Sequence, residues 1–391
     1  MAAFPGGCLI LRDHRVTATP PVLQSVEDTL LSQLAGSFAV WTGRAATALY
    51  WAYRLARATG AETEVPEVIV PAVSCTTPAA AALLAGFKPR FADVDRATGM
   101  PTLADVQERW TPATRAVVAI HLYGQTGDLT GLASWCRANH LLLIEDVAQA
   151  QGAILPNGAP AGSMGDIAVY SFNRTKIIDC GGGAMVVRGD FLAPAWQAMG
   201  EEPLPPEWNG DVAAVMGTSY RDLYQGLVSL RRTNSVADVS RSFLSLHSAY
   251  SGLYIRSLQS PERLASAWAN LPCILESRAA RARLYSEILA GGPWTTLDGW
   301  RASGVCWRYP VLLDDASRLV SFTEAMRRKG FYASNLYWPV NELLGPADAC
   351  PAARDFASRI VNLWVDPETA PERVRACAEA AWSAIQVSDC S

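Results

Sequence analysis

Between residues 40 and 190 the apolar positions fall into short unbroken runs, separated by longer stretches with helical spacing. Val68-Ile69-Val70, Arg90-Phe91-Ala92-Asp93, Ala116 to His121 and Leu141 to Ile144 are too short for helices, and they do not alternate; they predict strands. The Ala-rich stretch opened by Thr42-Gly43 and running to about Arg57, then Thr77 to Ala85 and Leu129 to Asn139, predict helices between them. Strands that are apolar at successive positions are covered on both faces. The expected fold class is therefore α/β with a mostly parallel sheet, and ligands are expected at the carboxyl ends of its strands. Ile167 to Ser171 and Ala184 to Val187 predict an antiparallel or hairpin-like pair around a loop.

Beyond residue 190 the pattern changes. Pro203, Pro205 and Pro206 break the chain, and long amphipathic stretches with Arg221, Arg231, Arg232, Arg241 and Arg256 follow. Pro261 to Leu289 predicts one long helical region with a kink near Pro272. From about Trp294 the chain turns α+β: a strand over Cys306 to Leu313, a helix over Ala316 to Lys329, a turn at Gly330 and a closing helix over Ala370 to Ile385. The expected division is a large α/β domain over 1–260, with an atypical helical segment at about 203–260. A linking helix and a small α+β domain follow over 261–391.

At 391 residues, half hydrophobic and less than a fifth charged, the composition fits a compact enzyme and excludes a disordered chain. A net charge of −4 gives no reason to expect a nucleic acid partner. The nine cysteines are scattered and odd in number, without CxxC spacing, and read as reduced packing thiols. No metal site is expected among them. Met1 to Cys8 lacks the basic and apolar regions of a signal peptide, and no run approaches the ~20 apolar residues of a membrane span. The expected location is cytoplasmic.

Against this background Lys176 stands out, in Tyr170-Ser171-Phe172-Asn173-Arg174-Thr175-Lys176 ahead of Gly181-Gly182-Gly183. A loop lysine is most often a surface charge. This one sits between a strand and a glycine run that lets backbone approach a ligand closely. Thirty positions upstream, the strand Leu141 to Ile144 runs into Glu145 and Asp146. An amine and a carboxylate on neighbouring strand ends suit an aldehyde cofactor, which needs one group to trap it and one anion to charge its ring. Asp146 alone would serve equally as a helix cap. Gln149 could reach a ring oxygen, or be a polar loop residue. Ser171 and Gly43-Arg44-Ala45 could hold a phosphate, the latter at a helix start where free N–H groups favour an anion; a Thr N-cap explains that start equally well.

These residues also carry a resemblance. Val70-Pro71, Ala85 to Asp95, Ile120-His121-Leu122-Tyr123-Gly124-Gln125 with Asp128, Ile144 to Ala150, and Gly162 to Ala184 occur in order. The series resembles the DegT/DnrJ/StrS family of pyridoxal 5'-phosphate enzymes with the aspartate-aminotransferase fold (fold type I), best known as sugar aminotransferases. The resemblance implies that Lys176 takes the cofactor aldehyde covalently and shuttles protons, and that Asp146 faces the pyridine nitrogen. It implies further that Gln149 contacts the ring oxygen, and that Ser171 with the amides of Arg44 and Ala45 binds the phosphate. It implies a homodimer with shared active sites, an amino-acid donor such as glutamate, and a keto acceptor on a sugar or other natural-product intermediate. Relatives with histidine at the lysine position are dehydratases, so Lys176 favours transamination.

Two departures qualify the resemblance. The family places an aromatic residue on the cofactor ring where this chain has Cys75; a sulfur contact, a ring from elsewhere, or a simple packing cysteine all fit that position. The family's Asn-x-Arg-Met-type segment, which reaches the partner's phosphate, has no counterpart. Arg231-Arg232-Thr233-Asn234 takes its place, or is a solvated helix face. Elimination, decarboxylation or carbon–carbon bond formation with the same cofactor is the alternative chemistry, and a non-catalytic cofactor-binding homologue the alternative class.

Overall fold

A computed structural model describes residues 19–199, 257–335, 337–346 and 349–387. The atypical segment expected at 203–260, with Arg231, Arg232, Asn234 and Arg256, lies outside the described residues through position 256.

The helix α1 (Gln24–Leu34) leads into strand β1 (Gly36–Thr42) and helix α2 (Ala45–Thr59). Then follow β2 (Glu67–Pro71), α3 (Thr77–Leu84), β3 (Lys88–Ala92), α4 (Leu103–Arg109), β4 (Thr114–Ile120), α5 (Thr130–Ala138) and β5 (Leu142–Asp146). Strands β6 (Ile167–Ser171) and β7 (Gly183–Arg188) complete the sheet, in the order β1-β7-β6-β5-β4-β2-β3. The pairings β3–β2, β2–β4, β4–β5 and β5–β6 are parallel, while β7 is antiparallel to both β6 and β1. The architecture is the α/β one expected, and the β6–β7 pair is the antiparallel one.

Every residue of β2, β4, β5 and β6 is buried, because helices cover both faces. On one face α2 contributes Ala45, Ala46, Ala48, Ala52 and Ala56, and α3 Ala79 to Ala82, all buried. Side chains this small let the helix axes approach the sheet closely, and the resulting core cluster includes Val70, Val118, Ile144, Val169 and Met185. The opposite face packs Ile69, Val117, Ala119 and Leu143 against Leu132, Ala133 and Cys136 of α5.

Several boundaries differ from expectation. Thr42 ends a strand and does not cap a helix: its hydroxyl donates to the Arg44 carbonyl at 2.7 Å, and the N-cap of α2 is Arg44 in extended geometry. The expected Pro261–Leu289 helix is two, α7 (Pro261–Ala269) and α8 (Leu271–Ile288), after α6 (Ala193–Ala198). The break at Asn270 sits two residues before Pro272. That proline occupies the first turn of α8, where its missing N–H costs nothing. The strand expected from Cys306 begins at Tyr309.

That strand, β9 (Tyr309–Leu313), is the centre of a second, antiparallel sheet between β8 (Trp294–Thr296) and β10 (Ile360–Leu363). Helices Leu319–Arg328 and Pro371–Val387 pack on it with α8, burying Tyr285, Tyr309, Phe322, Met326 and Ala381 in a separate cluster. The loop from β8 to β9 returns to the large sheet: the Trp307 amide donates to the Tyr123 carbonyl at 3.1 Å.

Candidate active site

The parallel register aligns the carboxyl ends of β4, β5 and β6. Ile120 pairs with Asp146, which pairs with Val169 two residues before Ser171. Alternation along β5 sends its two acids to different partners. Glu145 is fully buried and closed. Its oxygens accept from His121 Nε2 at 2.7 Å, from the Gly162 amide at 2.6 Å, and from the Met164 and Gly165 amides at 2.9 Å. Asp146 is buried too, but one oxygen takes only the Ala148 amide at 2.9 Å. Burial pushes the Asp146 carboxyl above its ordinary range, and the Ala148 N–H and the charges of Lys176 and His121 only partly offset this.

Lys176 stands on the loop between β6 and β7, half-buried, with its amide donating to the Asn173 carbonyl at 3.0 Å. Desolvation holds its amine below the usual lysine value. Cys75 and Asp146 oppose the shift, and the Arg308 charge adds to it. Lysine and aspartate thus share one desolvated space in which each biases the other. The chain's remaining lysines are elsewhere: Lys88 pairs with Glu67 at 3.1 Å on β3, and Lys329 is an exposed residue after a helix.

The expected phosphate-binding residues converge through β7. Ser171 pairs with Gly183, and Gly183 with Thr42, while Arg44 bridges to Gly182. A Cβ on Gly183 would come within 2.5 Å of the Ala45 amide nitrogen, so glycine alone allows this approach to the start of α2. The N-terminal end of α2 and the backbone at Ser171 therefore meet at one corner, through Gly183. Arg44 is half-buried there, its pKa lowered by desolvation. No acidic partner compensates it among the described residues.

Gln149 is buried and oriented on both ends: its Oε1 accepts from the Tyr123 amide at 2.7 Å, and its Nε2 donates to the Tyr337 hydroxyl at 3.1 Å. One Nε2 proton remains for another acceptor. Cys75 is half-buried, with Sγ 3.1 Å from Thr77 Oγ1.

The sequence reading missed the aromatic wall. Tyr123, Trp307 and Tyr337 lie within 9° of parallel, each 6.4 Å from the other two. The Lys176 Nζ is 4.9 Å from the Trp307 ring. Arg308 stacks on Trp307 and Trp364, and with Arg278 it binds Asp366. The signal available was Cys306-Trp307-Arg308, an indole and a guanidinium at the mouth of a strand far along the chain. Among the described residues no cluster of His, Cys, Asp or Glu could hold a metal, and no helix is long and apolar enough to cross a membrane.

A mostly parallel α/β sheet of the aspartate-aminotransferase type thus carries a desolvated lysine and aspartate at its strand ends. A family model for the DegT/DnrJ/EryC1/StrS aminotransferase family matches residues 10–221, more than half of the chain. The chain belongs to that family, and it is an aminotransferase. It is 28% identical over 329 residues to the dTDP-4-dehydro-2,3,6-trideoxy-D-glucose 4-aminotransferase of Saccharopolyspora spinosa, covering 82% of this chain and 78% of that one. It is 41% identical over 125 residues to the UDP-N-acetyl-3-dehydro-alpha-D-glucosamine 3-aminotransferase of Acidithiobacillus ferrooxidans, a match spanning 32% of this chain and 34% of that protein's length. The crystal structure of DesI with its TDP-sugar product shares the fold, with a TM-score of 0.73 and 22% identity over 96% of this chain and 88% of the other.

Proposed function

We propose that this chain uses pyridoxal 5'-phosphate to move an amino group from an amino acid, glutamate in the first instance, to the keto group of a sugar or related natural-product intermediate. The observation that carries the reading is that Lys176 and Asp146 are both desolvated and close enough for the charge of each to act on the other. When bound, the cofactor supplies an aldehyde and an electron-withdrawing ring, the chemistry that amino-group exchange needs. The residues present suit it: a reactive amine, a carboxylate with an open oxygen, an anion-favouring helix start, and flat apolar walls.

In this reading Lys176 Nζ, held below its usual pKa, would be the amine that holds the cofactor and would carry a proton to and from the substrate carbon. Asp146 would hold a proton on the pyridine nitrogen through a charge-assisted hydrogen bond. Gln149 offers its remaining Nε2 proton to the ring oxygen. Ser171 and the amides of Arg44 and Ala45 bind the phosphate. Cys75 lines the space beside Lys176, and Trp307 supplies an aromatic face from elsewhere in the chain.

A homodimer with shared sites and a cytoplasmic setting belong to the same proposal, as does the division into domains 1–260 and 261–391. The cysteines that are described are all unpaired, as a reducing compartment would keep them. The relative named for a dTDP-linked keto sugar matches over most of this chain, which makes such a sugar the first acceptor to try. The test is a screen of amino acids against the cofactor-loaded protein, followed by the visible spectrum. Conversion to the amine form of the cofactor, and its reversal by a keto sugar, is expected. A spectrum that instead settles on an elimination or decarboxylation product replaces transamination with the alternative chemistry.

A further inference from the structure

The residue before the lysine is in an unusual state. Thr175 has φ 73°, in the left-handed region, where a β-branched side chain is seldom found. It is also exposed, so no packing forces it there. Such a conformation persists only where the surroundings over-determine it.

The surroundings that do so come from the other sheet. The Trp307 indole N–H donates to the Thr175 carbonyl at 2.7 Å, and Arg308 Nη2 approaches the same oxygen at 3.4 Å. On its other side the Thr175 amide donates to Asp179 Oδ2 at 2.9 Å. Trp307 itself is immobilised: it is 2% exposed, and its carbonyl accepts from Arg278 Nη1 at 3.1 Å and Arg308 Nη1 at 3.0 Å. Both arginines are tied to Asp366. A rigid indole therefore grips a strained, exposed peptide one residue from Lys176, and its ring face lies beside the amine.

We propose that Trp307 is the positioning residue of the lysine loop: its N–H locks the left-handed turn at Thr175, and its face excludes water from Lys176. The small sheet thereby sets where the reactive amine stands. The inference rests on Lys176 being that amine, yet its test uses the cofactor-free chain and so succeeds or fails independently of the proposed reaction.

Trp307→Phe keeps an aromatic ring, removes the N–H donor and leaves space where the larger indole stood. Two measurements read the result: amide hydrogen exchange over 174–181, and competitive acylation of Lys176 against pH, followed by mass spectrometry. The expected outcome is about tenfold faster exchange in that loop, the scale of one lost hydrogen bond. The Lys176 labelling midpoint should move up toward the free-lysine value as water enters. The double variant Trp307→Phe/Thr175→Gly should recover slow exchange, because glycine adopts the left-handed turn without strain. A purely structural tryptophan would lower overall stability without moving the Lys176 midpoint. Unchanged exchange and an unchanged midpoint in Trp307→Phe overturn the proposal. If that variant does not fold, Thr175→Gly alone decides. Loop exchange as slow as wild type, or slower, shows the indole was holding a strained turn; faster exchange overturns it.

Discussion

The amine of Lys176 lies 4.9 Å from the centre of the Trp307 ring, yet its pKa is lowered, not raised. A ring face attracts a cation and would favour the protonated amine by about 0.5–2 kcal/mol. Removal of water disfavours the same form and is the largest cause of the lowered value, with the Arg308 charge adding to it and Cys75 and Asp146 opposing it. Trp307, itself buried, is part of the surroundings that keep water from the lysine. The consequence is an amine more easily freed of its proton than an exposed one, which is what attack on an aldehyde requires.

Lys176→Ala should therefore remove both the absorbance of lysine-bound cofactor and turnover, with circular dichroism unchanged. Proton transfer alone is worth about 10²–10⁴-fold, so the loss should be at least of that order. Lys176→Arg keeps the charge but not the reactivity, and should be equally inactive. Turnover surviving in Lys176→Ala would move the chemistry to another amine.

Asp146→Asn separates function from stability. The asparagine can still accept from Ala148 and removes a desolvated charge. The folded-state pKa of Asp146 is raised above the unfolded value of about 3.9, so the native state binds this proton more tightly. The charge therefore costs stability that is fully felt above the folded pKa and disappears as pH falls below the unfolded one. The cofactor-free variant should melt at an equal or higher temperature than wild type at neutral pH, with the difference gone in acid. Its turnover should fall by about 10²-fold or more. A lower melting point at neutral pH would show that the carboxylate is held by more than the Ala148 amide.

The strands bearing this site were legible because residues buried on both faces write continuous apolar runs. Asp146 and Lys176 broke those runs at their ends. The strand β1 was not legible: Gly36-Ser37-Phe38-Ala39 is only half covered, and Thr42-Gly43 resembles a helix start. The α4 helix carries a local start signal, the capping box of Thr102 and Asp105, but only seven residues follow it. Trp307, Arg308 and Tyr337 could not be read as site residues. Their roles come from a return of the chain across more than 130 positions, such as Trp307 to Thr175, and no local pattern encodes that contact. The closed state of Glu145 was equally hidden, since Glu145-Asp146 shows two acids and only their partners distinguish them.

The phosphate corner yields a test that separates charge from chemistry. Ser171→Ala removes the hydroxyl of the proposed phosphate set, and Arg44→Gln keeps the backbone amide but removes the cationic side chain beside it; both spare Lys176. Each should weaken pyridoxal 5'-phosphate binding by about tenfold, as expected for one hydrogen bond to a charged group. Neither should change the affinity for pyridoxal, which lacks the phosphate. Equilibrium titration of the two ligands reads this directly. Equal losses for both would place these residues against the ring and not the phosphate.

The His121–Glu145 pair makes a prediction about the scaffold. Burial alone would push Glu145 up. The hydrogen bond and charge of His121, with the Gly162 and Gly165 amides, outweigh it and hold the carboxyl below its ordinary value. A folded pKa below the unfolded value of about 4.3 means stability that is present above that value and is lost as pH falls through the folded pKa. Wild type should therefore lose melting temperature steeply on acidification below about pH 4.3, and Glu145→Gln should flatten that part of the curve. Glu145→Ala goes further, since it strands the buried amides of Gly162 and Gly165 and the part-buried amide of Met164, at about 1 kcal/mol or more each. Its loss at neutral pH should reach about 3 kcal/mol. The damage should spread to the strand end, because the 162–165 turn that Glu145 holds leads directly into β6 and so to Ser171 and the lysine loop. Cofactor affinity in Glu145→Gln, whose single oxygen can still accept from the Met164 and Gly165 amides but whose NH2 then faces the Gly162 N–H, should lie between wild type and Glu145→Ala, where it should fall together with stability. Thermal melts from pH 3 to 8 with parallel cofactor titrations would check both. A Glu145→Gln curve as steep in acid as wild type would show that other carboxylates govern the acid transition.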